Sequence, residues 1–281
     1  MKITILTVVY NGEKTIERTI RSVMREKMSD PDIEYVLVDG KSNDKTMEIV
    51  RKYREFIDMC ISEKDDGIYD AINKGIKHST GDYTLFLAAD DVLLENSITK
   101  FKKSILSETD VWCGSTISFI DGAYYRIDSD PDLQNLYKRC SLRHPATFFK
   151  RSLFFEYGFY NKDLKCAGDR EIFLRLYTMG VKFQIERIPI TFFSVGGISW
   201  RETEIVVSED KRISVWYGMN EEDAERYYSK QVNIKAATSV LHKTIRELCV
   251  KLHILKWVRR LGGNKGRLMT KKEVRRYGIE I

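Results

Sequence analysis

The first hundred residues alternate between two hydrophobic periods, and that alternation limits the possible folds more than any other feature of the chain. Ile3 to Val9 is an apolar, β-branched run of strand length. Glu13 to Arg25 follows, with Ile16, Ile20 and Val23 at helical spacing. Tyr35–Val38, Ile57–Ile61 and Tyr83–Leu87 read as further strands. Lys45–Tyr53, with Met47 and Val50 on one face, and Ile68–Lys77, with Ile68, Ile72 and Ile76 in register, read as helices. Strands and helices that alternate over short connections form parallel sheets with right-handed crossovers. The strands are apolar almost throughout, as befits a sheet covered on both faces. The expected fold class is α/β, a Rossmann-like, mostly parallel sheet flanked by helices.

Beyond Lys103 the pattern loosens. Val111–Ile120 and Tyr124–Ile127 look like strands around Asp121-Gly122, Glu171–Thr178 like a helix, and Phe183–Ile188 like another strand. After Ser208 the chain reads as wholly helical. Within it, 230–260 is basic and amphipathic, with Val240, Leu241, Ile245, Leu248, Leu252 and Leu255 along one stripe. The implied division is a catalytic unit over 1–208, split near 105, followed by a basic helical extension over 209–281.

Composition removes several classes of protein. Hydrophobic content of 43% and charged content of 31% suit a globular chain, and 4 Pro with 17 Gly leave little material for linkers. The five cysteines lie far apart without CxxC or Cys/His spacing, so neither a zinc site nor a disulfide framework is expected. No apolar run approaches the ~20 residues of a membrane span, and Met1–Val9 lacks the length and small-residue cleavage site of a leader. A reduced, cytoplasmic protein is the expectation. The net charge of +6 is concentrated in the tail, where only Glu247 and Glu273 offset the lysines and arginines of 230–276. That suits an acidic surface. Interleaved aromatics for a single-strand platform are missing, so no nucleic acid is expected and an anionic membrane is the better partner. Packing of the stripe on the catalytic unit, or a homo-oligomer contact, is the alternative.

Polar residues collect at three strand ends. The first strand opens into Tyr10-Asn11-Gly12-Glu13, the second ends at Asp39-Gly40-Lys41-Ser42-Asn43-Asp44, and the fourth leads to Asp90-Asp91. In a parallel sheet these ends share the edge where open α/β folds bind ligands. Paired carboxylates there suit Mg²⁺ completed by substrate phosphates, although an Asp before a helix is also a common N-cap. Neither GxxxxGK[ST] nor GxGxxG follows the first strand, which disfavours a P-loop and a dinucleotide site.

Thr7-Val8-Val9-Tyr10-Asn11, Asp39 through Thr46, Ser62 through Gly75 and the Asp90-Asp91 pair resemble, in order and spacing, the inverting family 2 glycosyltransferases of GT-A fold. The branch most resembled builds bacterial capsule, O-antigen and exopolysaccharide. The resemblance covers about residues 1–200. It implies a UDP-sugar donor held by Thr7, Val9, Tyr10, Glu13, Asp39, Asp70, Asn73, Lys74, Asp90 and Arg201, with Asp39 accepting from the base imide. It implies Mg²⁺ or Mn²⁺ on Asp91 and Asp90, although Ala89 stands where the family usually has a polar side chain. Asp169, in Gly168-Asp169 where the family sometimes has Glu-Asp, is implied as the catalytic base, with Glu171 as fallback; an N-cap is the alternative for Asp169. His144 and Trp200 fall on the acceptor side, with a structural histidine and a simple turn as their alternatives. The implied acceptor is a saccharide linked to a polyprenyl diphosphate, and the implied place is the inner face of the cytoplasmic membrane. The competing functions are a non-catalytic sugar-nucleotide-binding protein and a nucleotidyltransferase; the latter normally has a Gly-rich basic loop that Asn11-Gly12-Glu13 does not resemble.

Overall fold

The computed structural model describes residues 1–120, 122–194, 203–230 and 266–279. Among the described residues, ten strands form one curled sheet whose main path runs β10-β7-β6-β8-β4-β1-β2-β3. The first half is parallel. β1 (Ile3–Val9) lies between β2 (Ile33–Asp39) and β4 (Tyr83–Phe86), and β2 also pairs with β3 (Met59–Ser62). The helices α1 (Ile16–Ser29), α2 (Thr46–Lys52) and α3 (Ile68–His78) make the crossovers. The period-two rule divides these strands between two cores. Ile3, Ile5 and Val9 of β1 pack with Ile16, Ile20 and Val23 of α1, while Leu6 packs with Ile72 and Ile76 of α3. A Cβ on Gly75 would lie 2.3 Å from a Leu6 methyl, so this glycine lets α3 settle onto β1.

Parallel pairing does not extend across the sheet. β8 (Thr147–Lys150) runs antiparallel to β4 and to β6 (Val111–Ile120), and β7 (Ala123–Ile127) is antiparallel to β6. β9 (Phe183–Phe193) is parallel to β6 and antiparallel to the two-residue β5 (Val92–Leu93). β9 continues past its expected end at Ile188 because the register shift beside Ser115 accommodates Pro189. Helices α4 (Ser97–Ser104), α5 (Ser152–Glu156) and α6 (Gly168–Thr178) complete this half.

The C-terminal part departs from the wholly helical expectation. α7 (Thr203–Trp216) straddles the expected boundary at 208, and its Ile213 is buried in the core with Phe173 and Leu176. β10 (Arg267–Met269) pairs with β7, and Met269 and Val274 bury against Leu94 and Ile117. The described ends of this region are therefore built into the main body. The stripe expected over 230–260 lies almost wholly outside the described residues. Among the described residues, no helix is long and apolar enough to cross a membrane.

Candidate active site

Two loops at the carboxyl edge of β1 and β2 are laced together by their backbones. Asn11 N donates to Ser42 Oγ at 2.8 Å, Gly12 N to Thr46 Oγ1 at 2.8 Å, and Asn43 N to Asn11 Oδ1 at 3.0 Å. Asn11 and Lys41 take positive φ, 51° and 63°, a conformation that costs free energy and recurs at ligand sites. Asp39 ends β2 inside this lattice. Its carboxylate accepts from Ser42 N at 3.1 Å, Ser42 Oγ at 2.5 Å and Ser62 Oγ at 2.6 Å. Tyr10, 64% exposed, offers a flat ring at the mouth, beside Gly40.

The second carboxylate group follows β4. Arg18 and Ser194 hold the Asp90 carbonyl, Thr19 Oγ1 donates to the Asp91 carbonyl at 2.7 Å, and Ser194 N donates to Asp91 Oδ1 at 2.9 Å. The other oxygen, Asp91 Oδ2, is buried without any hydrogen-bond partner. Burial, reinforced by neighbouring Asp90, pushes the Asp91 carboxyl well above the usual carboxylate range. A carboxylate with one orphaned oxygen fits a hard cation. No three His, Cys, Asp or Glu side chains converge on a point among the described residues, so an ion here would take its remaining ligands from phosphate or water.

An aromatic bridge connects this strand to a third carboxylate. Phe86 stacks on His144 with ring centres 5.3 Å apart, His144 Nε2 shares a 2.8 Å hydrogen bond with Tyr160 OH, and Tyr160 stacks on Tyr69 at 5.7 Å. Tyr69 OH accepts from Gly168 N at 2.8 Å. A Cβ on Gly168 would meet the Tyr69 ring at 2.7 Å, so the glycine makes this contact possible and brings the next residue, Asp169, beside the bridge. Asp169 Oδ1 accepts from Arg170 N at 2.7 Å, and Oδ2 accepts from the Cys140 thiol at 3.6 Å. Burial raises the Asp169 carboxyl to about 6, with Asp210 adding to the rise and Arg143 opposing it. Such a group is ionised yet basic near neutral pH, as a general base should be. Burial takes His144 down to about 4, so it is a neutral hydrogen-bonding partner in this pH range.

Comparison with known proteins then decides the family. Residues 4–167, more than half of the chain, match the sequence pattern described as glycosyl transferase family 2. The chain belongs to that family. A PGL/p-HBAD biosynthesis glycosyltransferase of Mycobacterium bovis (strain BCG / Pasteur 1173P2) is 28% identical over 180 residues, which is 62% of this chain and 69% of that protein. The poly(ribitol-phosphate) β-N-acetylglucosaminyltransferase TarP of Staphylococcus aureus (strain N315) is 30% identical over 100 residues, 34% of this chain and 31% of that one. S. aureus TarS 1–349, solved with UDP-GlcNAc, superposes with a TM-score of 0.62 at 18% identity, over 83% of this chain and 72% of its own. The mannosyltransferase PcManGT from Pyrobaculum calidifontis, solved with GDP-Man and Mn²⁺, gives 0.57 at 16% identity, over 89% and 80%. Both share the GT-A-like fold.

Within this glycosyltransferase several residues expected at the donor face elsewhere. Thr7 is fully buried and accepts from Tyr35 OH at 3.3 Å, while Val9 is a core side chain of the α1 layer. Their strand is covered on both sides, so neither side chain reaches the cleft. Glu13 accepts from Lys45 N at 3.1 Å and ties the two loops together. Asn73 is clamped at both ends by the Tyr160 backbone, accepting from N at 2.9 Å and donating to O at 2.8 Å, so it braces the aromatic bridge instead of bordering a nucleotide. Lys74 is taken up by Glu63, Asp70 and the Lys64 carbonyl, and Asp70 by Lys74 and Lys162; together they hold the 63–66 loop. Glu171 is no fallback base, because Arg175 grips both of its oxygens and Tyr217 OH donates to one. Trp200 and Arg201 lie outside the described residues.

Other residues at the site escaped the sequence reading. Tyr69 sits within Ser62–Gly75, between Ile68 and Asp70, and its position at i−3 from Ile72 places it on the buried face of α3. Tyr160, Cys140 and Arg143 gave no signal. Arg143, whose Nε is buried without a partner, puts a cation near Asp169.

Proposed function

We propose that this family 2 enzyme transfers one sugar from a UDP-sugar to a hydroxyl of a saccharide acceptor, with inversion at the anomeric carbon. The observation that carries the reading is Asp169: a half-buried carboxyl raised to about 6, at the start of a helix that Tyr69 and the Tyr160–His144–Phe86 bridge connect to the strand leading to Asp90-Asp91. Asp169 takes the acceptor hydroxyl proton as that oxygen forms its bond to C1 and the bond from C1 to the UDP oxygen breaks. Tyr69 and the Tyr160–His144 pair hold the base in place. Asp39, oriented by Ser42 and Ser62, accepts the uracil N3–H, and Tyr10 lies against the base. Asp91, with Asp90 beside it, would hold Mg²⁺ or Mn²⁺, which when bound neutralises charge on the departing diphosphate. No covalent sugar–enzyme intermediate is required.

Bacterial surface polysaccharide synthesis is the proposed setting, in the cytoplasm, with a polyprenyl-diphosphate-linked acceptor. The relatives named above, a mycobacterial PGL/p-HBAD biosynthesis glycosyltransferase and a staphylococcal poly(ribitol-phosphate) β-N-acetylglucosaminyltransferase, support it, as does the cation of Arg143 beside the base. A screen of UDP-, GDP- and TDP-sugars with a synthetic diphosphate-lipid saccharide tests the reading. Acceptor-dependent release of UDP is expected. Binding of UDP-sugars without turnover against any acceptor would favour a non-catalytic binding protein.

The basic stripe of 230–260 is proposed to bring the enzyme to that acceptor by lying on an anionic membrane. Because β10 pairs with β7, truncating the tail would also strip the sheet edge, so charge neutralisation is the cleaner test. Replacing Lys243, Arg246, Lys251, Lys256, Arg259 and Arg260 with glutamine should abolish flotation with anionic liposomes, since each basic residue contributes about 1 kcal/mol. Equal flotation of parent and variant, or none by either, contradicts the membrane role.

A further inference from the structure

Helix α6 begins without a capping side chain of its own, since its N-cap is Ala167. The cap comes from another helix. The buried carboxylate of Glu209, on α7, accepts from three consecutive backbone N–H groups, those of Lys165 at 2.6 Å, Cys166 at 2.9 Å and Ala167 at 2.9 Å. The next residue grips the same turn from its other side. Asp210 accepts from the fully buried Arg170 guanidinium, through its carbonyl at 2.5 Å and Oδ1 at 3.0 Å. The remaining Arg170 donors go to the Leu136 and Tyr137 carbonyls and to Ser214 Oγ. Asp169 lies between these two attachments.

We propose that Glu209 and Asp210 are a positioning pair for Asp169, Glu209 fixing its orientation through the helix start and Asp210 its strength as a proton acceptor. The proposal rests on the reading of Asp169 as the base. A neutral acceptor could satisfy the N–H groups at the helix start, so hydrogen bonding alone does not require two carboxylates there. What the pair adds is charge. Glu209 is taken up by the three N–H groups at the helix start, whereas Asp210, although paired with Arg170, raises the Asp169 carboxyl. The groups facing Asp169 from the surrounding elements are Tyr69 of α3, Cys140 and Arg143 before β8, Tyr160 before α6, and Asp210 of α7. Arg143 favours the ionised carboxyl, burial and Asp210 favour the protonated one, and their balance keeps a proton acceptor strong at neutral pH.

The test is the titration of the Asp169 carboxyl in the full-length protein by carbon-13 NMR, its signal assigned by its loss in Asp169→Asn. In Asp210→Asn, which keeps the shape and one acceptor oxygen for Arg170, proton affinity should fall on the order of tenfold. The acid limb of kcat/KM should move to lower pH by the same amount, with donor KM unchanged. Asp210→Glu should restore the parent midpoint. Ser214→Ala, which removes an Arg170 contact without changing charge, should lower thermal stability and leave the midpoint in place. If Asp210→Asn does not fold, Asp210→Ser, which keeps the backbone carbonyl contact to Arg170, takes its place. An unchanged midpoint in folded variants overturns the proposal and leaves the pair a structural anchor. The titration needs no substrate, so a shifted midpoint in a protein that consumes no sugar nucleotide would fault the transferase reading and not the pair.

Discussion

Asp169→Asn should lose transfer on the order of a hundredfold or more and at the same time become more stable than the parent at pH 7 to 8. Asparagine keeps the volume and the hydrogen bond from Arg170 N but cannot take a proton, so the loss falls on kcat at the usual scale of general-base removal. UDP affinity should hardly change, because the donor contacts proposed here lie on other elements. The stability gain follows from linkage. The carboxyl rises from 3.8 to about 6 on folding, so the folded state binds the proton more tightly. Stability is therefore lost as pH rises from about 4 through 6, by up to about 3 kcal/mol, with solvent at this half-buried group making the real figure smaller. The amide removes that loss. Thermal melts at pH 8 and pH 4 check it: the variant should melt higher at pH 8, and the two proteins should converge at pH 4. A variant near normal in turnover would place the proton acceptor elsewhere.

Asp91→Asn should be the other severe variant, and it too separates chemistry from folding. In the parent, EDTA should abolish transfer and Mg²⁺ or Mn²⁺ should restore it. Loss of the metal's charge stabilisation, worth several kcal/mol, corresponds to a fall on the order of a thousandfold. Asp91 is buried with Oδ2 unpartnered and its carboxyl held far above its ordinary range, so its ionised form destabilises the metal-free fold as pH rises. A bound cation relieves that penalty. The melting temperature of the parent should therefore climb with Mn²⁺ concentration, while that of Asp91→Asn should start higher and not respond. A parent whose melting temperature and turnover both ignore EDTA would remove the metal from the account.

The donor-side fold was readable because its strands are apolar on both faces and its helices repeat cleanly; Ile16, Ile20 and Val23 all bury as their spacing implies. The same reasoning, carried further, would have turned two residues inward. Thr7 lies in a strand with no solvent face. Asn73 falls on the buried stripe of α3 with Tyr69, Ile72 and Ile76. Motif position favoured a ligand role for both, and packing decided otherwise. The acceptor half was harder to read because its pairings are long-range. β10 is three residues whose strand character comes only from β7, and β9 passes a proline that would normally end a strand. Glu209 and Arg170 look like ordinary surface charges in the sequence. Only the fold sets a carboxylate of α7 against the start of α6, 42 residues earlier in the chain. Asp39 and Asp91 drew attention because they end strands at the ligand-binding edge, whereas Asp169 was singled out only through the family resemblance, since an Asp at a helix start reads equally as an N-cap.

The most direct measurement is the anomeric configuration of the first product formed from a UDP-sugar of known anomer, followed by proton NMR before the product can equilibrate. Direct displacement at C1, with Asp169 taking the acceptor proton, predicts a single product of configuration opposite to the donor, absent in Asp169→Asn. A product that retains the donor's configuration would require a second displacement or a different nucleophile, and would contradict the account.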